Sequence, residues 1–360
     1  MKNVARSVAG SAVTGPLIVM LLVASVVALT TDRFLVSQNL TNVSLQVAVV
    51  AIVAIGATMV ILTAQIDLSS GSLAALSSVL LAGLIKKAGV DEPIAFLLII
   101  GMGAGLGFVN GFFSSYGRIP SFIFTLGTLA IFRGLSFLYT GGTPIFSISP
   151  QLTQVFYGKF LGLPLPLIYV VVLYALAWAY LRYARGGRHM YAVGGNPSAA
   201  RLSGIGVNRV RTKAFVLAGA LSALGGILLT ARLNSGSPNY GQGLELMAIA
   251  SAVIGGTSLL GGVGSVVATL IGALMIVIVQ NALNLHAVAS AWQQIALGTI
   301  IGVAVGIDMW RSELAKGAQW LWKRTLGRGR EDVGGAASGE DSDRAPTAER
   351  SQRIDETVKP

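Results

Sequence analysis

Residues 45–63 read LQVAVVAIVAIGATMVILT, and residues 163–181 read LPLPLIYVVVLYALAWAYL. Each is apolar almost without interruption, over roughly the 20 residues that a helix rising 1.5 Å per residue needs to cross about 30 Å of hydrocarbon. A transmembrane barrel strand would alternate apolar and polar positions over about 10 residues. Neither stretch alternates, so both read as membrane helices.

The same signature recurs along the chain, which has 360 residues, 53% of them apolar and 11% charged, against about 25% charged in a soluble domain. Only six acids precede Trp310: Asp32, Asp67, Asp91, Glu92, Glu245 and Asp308. Apolar runs near 14–31, 44–64, 70–86, 94–115, 121–139, 164–183, 212–231, 244–257, 265–284 and 292–309 predict an all-α polytopic transmembrane helix bundle of about ten membrane segments, some short or broken. The 45 glycines suit helices that approach closely.

A net charge of +11 raises nucleic acid as a partner, but the position of the charge argues against it. Arg182, Arg185, Arg188, Arg201, Arg209, Arg211 and Lys213 fall in one acid-free loop, the mark of a cytoplasmic loop. With Lys2 and Arg6 inside, ten crossings place that loop, Arg118 and the basic end at Arg311 inside, so both termini are expected to be cytoplasmic. The 140–162 loop, where Lys159 is the only charge, falls outside. Lys86 and Lys87 also fall outside, offset by Asp91 and Glu92. The start of the chain superficially resembles a signal peptide but shows no clear small-residue cleavage site, so an uncleaved first span is expected.

The expected organisation is a cytoplasmic N-terminus over 1–13, a membrane domain over 14–310 with a cytoplasmic loop at 184–211, and a tail over 311–360. The tail is basic and then rich in Gly, Ser, Asp, Glu and Arg, so it reads as disordered, with its basic start near anionic lipid headgroups. The stretch around 66–73 is weakly echoed around 259–266, each where one span ends and another begins, as in transporters built from repeats with broken helices.

Several polar residues inside apolar sequence are candidates for function. Asp67, with Ser69, either lines a solute path or caps the helix that follows. Asn110 follows Gly101, Gly103, Gly105 and Gly107 and either bonds between helices or faces a pore. Asn281, beside Gln280, carries the same two readings. Thr257 and Ser258 stand at the second helix break, and the turn-rich 234–245 region is a candidate external solute-facing loop. In the basic loop, Gly194, Gly195 and Asn196 predict a turn, Pro197 the start of a short helix and Gly204 its end. Ala199, Leu202 and Ile205 then form an apolar stripe beside Arg201, with Ala200 and Ser203 on the same short helix, and that stripe needs a partner or headgroups to cover it.

Other chemistries lack their parts. The only Gly-Lys pair, Gly158-Lys159, is followed by Phe160, so no Gly-Lys-Ser/Thr phosphate loop exists. With no cysteine and two histidines, there is no metal-ligand cluster and no catalytic set, and no cofactor is expected.

Over about residues 40–310 the chain resembles the ribose, xylose and galactose type permeases of bacterial ATP-binding-cassette importers. The resemblance is carried by Ile66-Asp67-Leu68-Ser69 with Gly71-Ser72, Gly107 with Asn110-Gly111, Phe122 to Gly127, the Gly194-Gly195-Asn196 to Gly204-Ile205 loop, and Ile254-Gly255-Gly256-Thr257-Ser258 with Gly261-Gly262. One departure stands out: the family motif usually has two glycines before Ile-Asp-Leu-Ser, whereas here Ala64-Gln65 precede it. The resemblance implies a pore subunit without its own ATPase site. Two copies would pair with cytoplasmic ATPase subunits in the bacterial inner membrane and receive a monosaccharide from a periplasmic or lipid-anchored binding protein. The helix after Pro197 becomes the ATPase-coupling element. Related families on a similar scaffold carry branched-chain amino acids or a furanose-like signal. A secondary transporter or channel independent of ATP is the alternative from another class.

Overall fold

In the computed structural model, which describes residues 13–306, every predicted apolar segment lies on a helix. The first half contains α1 (Thr14–Thr30), α2 (Ser37–Leu62), α3 (Ser70–Lys86), α4 (Glu92–Ser115) and α5 (Ser121–Thr140). After the short strand β1 (Ile145–Phe146) come α6 (Pro150–Tyr157), the β2 (Lys159–Phe160) and β3 (Leu163–Pro164) hairpin and α7 (Leu165–Tyr183). The basic loop folds into α8 (Arg185–Gly195) and α9 (Pro197–Leu202). The chain then forms α10 (Val207–Leu233), β4 (Ser235–Gly236), α11 (Leu244–Ile254), α12 (Val266–Leu285) and α13, spanning 290–306. The expected N-terminus over 1–13, but for Val13, and the expected tail over 311–360 lie outside the described residues.

Helix α2 is the centre of the bundle. It is apolar all round, and such a helix must be buried; from Val47 to Leu62 every residue is buried, surrounded by α10, α11, α12 and α7. The peripheral helices α4, α5 and α7 keep apolar faces outward, with Leu97 73% and Val171 65% exposed, as lipid contact requires.

Among the described residues, six helices are long and apolar enough to cross a membrane: α2, α4, α5, α7, α10 and α12. The other four predicted segments are the shorter helices α1, α3, α11 and α13. Of the ten predicted segments, six thus fall on helices of spanning length and four on shorter ones. The 11 residues of α11 cover only about 16 Å. Its shortness has a structural reason. The 234–243 part of the 234–245 stretch, turn-rich and expected by the parity of crossings to be external, enters the bundle: residues 235–238 are buried, Gly236 abuts Ser78, Val79 and Ala82 of α3, and Gly241 abuts Gly71 at the start of that helix. It runs antiparallel beside α3 before α11 begins.

The loops assigned to each face by charge gather at opposite ends of α4 and α10. At one end, Arg118 and Arg201, Arg209 and Arg211 line a common cavity. At the other, Lys86 Nζ donates to the Phe146 carbonyl, the Ser149 hydroxyl donates to Glu92, β1 pairs with β4, and the Asn234 side chain accepts the amides of Ile148 and Ser149 at 3.0 Å each.

Helices α4 and α10 touch along a seam of small residues. A side chain on Gly103, Gly107 or Gly111 would strike the α10 backbone or side chains at Gly219, Phe215 or Thr212. Gly101 and Gly105 meet open space, so the close face has spacing four and includes Gly111.

Candidate functional site

The chain leaves the helical pattern inside the bundle at 63–69, 234–243 and 255–265, and each break must find partners for its backbone groups because no water is available within hydrocarbon. At the first break, α5 supplies them. The Ser121 hydroxyl accepts the Ile66 amide at 3.0 Å and the Thr125 hydroxyl accepts the Leu68 amide at 3.0 Å. The Phe122 to Gly127 motif therefore has a physical role through its neighbour Ser121 and through Thr125, two residues not singled out by the sequence reading. Their signal was a hydroxyl pair spaced by four directly after Pro120.

Asp67, 5% exposed, accepts both the Ser69 amide at 2.8 Å and the Ser69 hydroxyl at 2.7 Å through one oxygen. This orders the turn immediately before α3. Asn110 Nδ2 donates to the Ser69 hydroxyl at 2.8 Å, so the α4 amide bonds across helices into the same turn. Its Oδ1 is buried without a partner, as are the Ser70 hydroxyl and Glu245 Oε2. Glu245 packs against Gly71, near enough to Asp67 for the two carboxyls to interact. The first break thus brings together acceptors from α3, α4 and α11.

Arg133 was also absent from the sequence candidates. Its guanidinium donates to the carbonyls of Pro238 and, at 2.8 Å, Tyr240, satisfying from α5 the end of the buried 235–238 stretch. A cation within an otherwise uncharged apolar run was the available signal.

The second break touches the first. Gly262 donates its amide to the Leu62 carbonyl at 3.0 Å, and a side chain on Gly261 would meet Ala64. Ala64 itself has φ 57°, a left-handed backbone that glycine adopts without strain; the family's glycine preference at this point is thus a backbone requirement that alanine meets here. The Gln65 side chain turns back on its neighbour, Nε2 donating to the Ala64 carbonyl at 2.7 Å. Thr257 is fully buried with its hydroxyl unpartnered and packs against Gly264, while the Ser258 backbone closes the loop through Val263 and Gly261. The two breaks whose sequences echo one another thus lie side by side, joined through Leu62 and Ala64 on one and Gly261 and Gly262 on the other.

The α8–α9 hairpin meets both. Gly194 and Gly195, expected in a turn, instead end α8, and the chain turns at Asn196, with φ −154°. The reason is space: a side chain on Gly194 would strike the Leu62 carbonyl and the Gly262 amide. Tyr191, whose phenol is held above its usual pKa by burial, donates its hydroxyl to the Gly264 carbonyl at 3.0 Å. Asn196 caps α9 by accepting the Ala199 amide at 2.9 Å, and Pro197 follows at the first helical position. Gly204, with φ 78°, ends it: Gly204 bonds to the Arg201 carbonyl and Ile205 to the Ala200 carbonyl, both at 3.0 Å, a Schellman cap. The Ser203 hydroxyl bonds back to Ala199 at 3.0 Å. Of the expected stripe, Leu202 is 91% exposed and Ala199 exposed, Ile205 is half-buried, and Ala200 faces inward.

Asn281 lies apart from this cluster. It forms a reciprocal amide pair with Asn39 of α2 at 2.8 and 3.0 Å, and Gln280 accepts from Gln46 at 2.9 Å, both bonds joining helices.

Residues 39–305 match the family described as the branched-chain amino acid transport system / permease component. A ribose import permease protein of Bacillus subtilis is 43% identical over 83% of this chain and 93% of its own length. A D-allose transport system permease protein of Escherichia coli is 36% identical over 81% and 89%, and a xylose transport system permease protein of Haemophilus influenzae 33% over 78% and 91%. No solved structure matches the chain. With the family pattern covering most of its length and its motifs occupying the helix breaks and the loop that meets them, the chain belongs to this family of transport-system permease components.

Proposed function

We propose that this chain is the membrane permease of an ATP-driven importer that moves a monosaccharide of the ribose, xylose and galactose class inward. It works as two copies with separate cytoplasmic ATPase subunits and a periplasmic or lipid-anchored sugar-binding protein, and both its termini face the cytoplasm. The observation that carries this reading is the junction of the Leu62 carbonyl, the Gly262 amide and Gly194. Through it, a short exposed helix with a bare Leu202 is joined to both breaks of the bundle, which is the arrangement an external motor needs. Gly194, Gly195, Asn196, Ala199, Ala200, Arg201, Leu202, Ser203 and Gly204 form the ATPase contact. Asp67, Ser69, Asn110, Thr257 and Ser258 shape the path, with the free oxygens of Asn110 and Glu245 suited to accept sugar hydroxyls; Asn281 holds the helix that flanks it.

The sugar names of the relatives favour a monosaccharide over a branched-chain amino acid. Vesicles containing the assembled complex test both points. ATP-dependent uptake of labelled ribose, xylose, galactose or allose and none of leucine is expected. Replacing Arg201 or Leu202 uncouples ATP hydrolysis from uptake while the complex still assembles. Leucine uptake, uptake without ATP, or unchanged transport by both variants overturns the reading.

A further inference from the structure

At the end of the bundle that carries the basic loops, a cavity of about 980 Å³ opens between the last turn of α4, the 116–120 connection and residues 205–211. Arg118, Arg201, Arg209 and Arg211 line it, and among the described residues its lining contains no acidic side chain. Arg201 and Arg211 are close enough to repel one another. Such a concentration of guanidinium groups is unfavourable unless something negative sits among them.

The lining also holds unused hydrogen-bonding groups beside apolar residues such as Ile66, Ile119 and Leu259. Ser114 and Ser115, each 7% exposed, have buried hydroxyls without partners, and Arg211 Nε is buried without one. Gly206 and Val207 line the cavity where α10 begins, and no side chain caps the first amides of that helix, which carry its positive end. Arg118 holds φ 56°, uncommon for a bulky residue. Arginines, hydroxyls and helix amides together match the oxygens of a phosphate group, which guanidinium forks bind in pairs.

We propose that this cavity is a binding site for a phosphate-bearing anion, either a free phosphate compound or the headgroup of an anionic lipid. The site joins the 116–120 connection to the start of α10 and includes Arg201 of α9. If α9 docks the ATPase, as the proposed function has it, occupancy also braces the coupling helix; binding itself does not depend on that reading.

The test uses the full-length chain in nanodiscs of zwitterionic phosphatidylcholine, titrated calorimetrically with inorganic phosphate and with pyrophosphate. Saturable binding is expected. It weakens at least about tenfold in Arg118→Gln/Arg211→Gln and several-fold in Ser114→Ala/Ser115→Ala, which leaves the charge unchanged, and it persists in Arg185→Gln, an exposed arginine outside the cavity. Arg118→Lys/Arg211→Lys keeps the charge without the fork and serves where the glutamine pair fails to fold. In discs containing phosphatidylglycerol, a rise in Tm of the native chain, absent from the arginine variants, supports the site with a lipid as its source. Saturation by neither phosphate compound together with no lipid effect overturns the proposal. So does an equal loss in Arg185→Gln, which marks a diffuse charge effect.

Discussion

The amide of Gly262 bonds to the carbonyl of Leu62 at 3.0 Å, tying the second helix break to the end of the central helix, and Gly194 closes over the same bond. Gly194→Ala places a methyl against both groups, an overpacking expected to cost about 1–3 kcal/mol. Gly195→Ala meets open space. Tm should therefore fall sharply for the first variant and stay near the native value for the second; equal Tm values for the pair argue against the junction.

Tyr191→Phe removes the hydroxyl bond to the Gly264 carbonyl while keeping the ring. A small loss of stability, about 1 kcal/mol, is expected. The informative measurement is the ratio of ATP hydrolysed to sugar imported, which should rise if this bond transmits the movement of α8.

Asp67 admits a clean separation of its two readings. Asp67→Asn keeps the oxygen that accepts from Ser69, whereas Asp67→Ala leaves a buried amide without an acceptor, at about 1–3 kcal/mol. Purified yield and Tm should fall for alanine and hold for asparagine. If asparagine folds normally yet transports poorly, the charge itself serves the solute path.

Ser121→Ala and Thr125→Val each strip a buried amide of the first break of its partner. Each should lower stability by about 1–3 kcal/mol, and Thr125→Ser should restore most of it. Thermal unfolding of the detergent-solubilised chain reads the series.

Ala64→Gly should leave the protein as stable or slightly more so. Relief of a left-handed alanine gains about 1–2 kcal/mol, and the looser unfolded chain takes back about 0.4–1. Ala64→Val should destabilise it clearly by the same scan.

Hydropathy sufficed for the helices because a span such as Ser37–Leu62 must be apolar wherever it meets lipid or core. It failed at 234–243, whose polar turn residues look the same whether water or Arg133 satisfies them; the sequence shows the need for partners, not their location. The short helix after Pro197 was legible because its caps are local, Asn196 and Gly204 lying within a few residues of the groups they serve. The role of Gly194 was not, since the Leu62 carbonyl that excludes a side chain is far away in the chain. Asn110 and Asp67 were visible as costly polar residues, and the local pairing of Asp67 with Ser69 was legible too, but the bond from Asn110 to Ser69 follows only from the approach of α4 to α3.

The 27 residues of α10 form a strut of about 40 Å, gripped along its length by the glycine face of α4. One end abuts the α8–α9 hairpin and the other ends at Asn234, which holds the 141–149 connection. A strut so clamped resists bending. Under the proposed function it therefore acts as a push-rod, carrying a displacement at the α9 end to the Asn234 end without a relay of intermediate side chains.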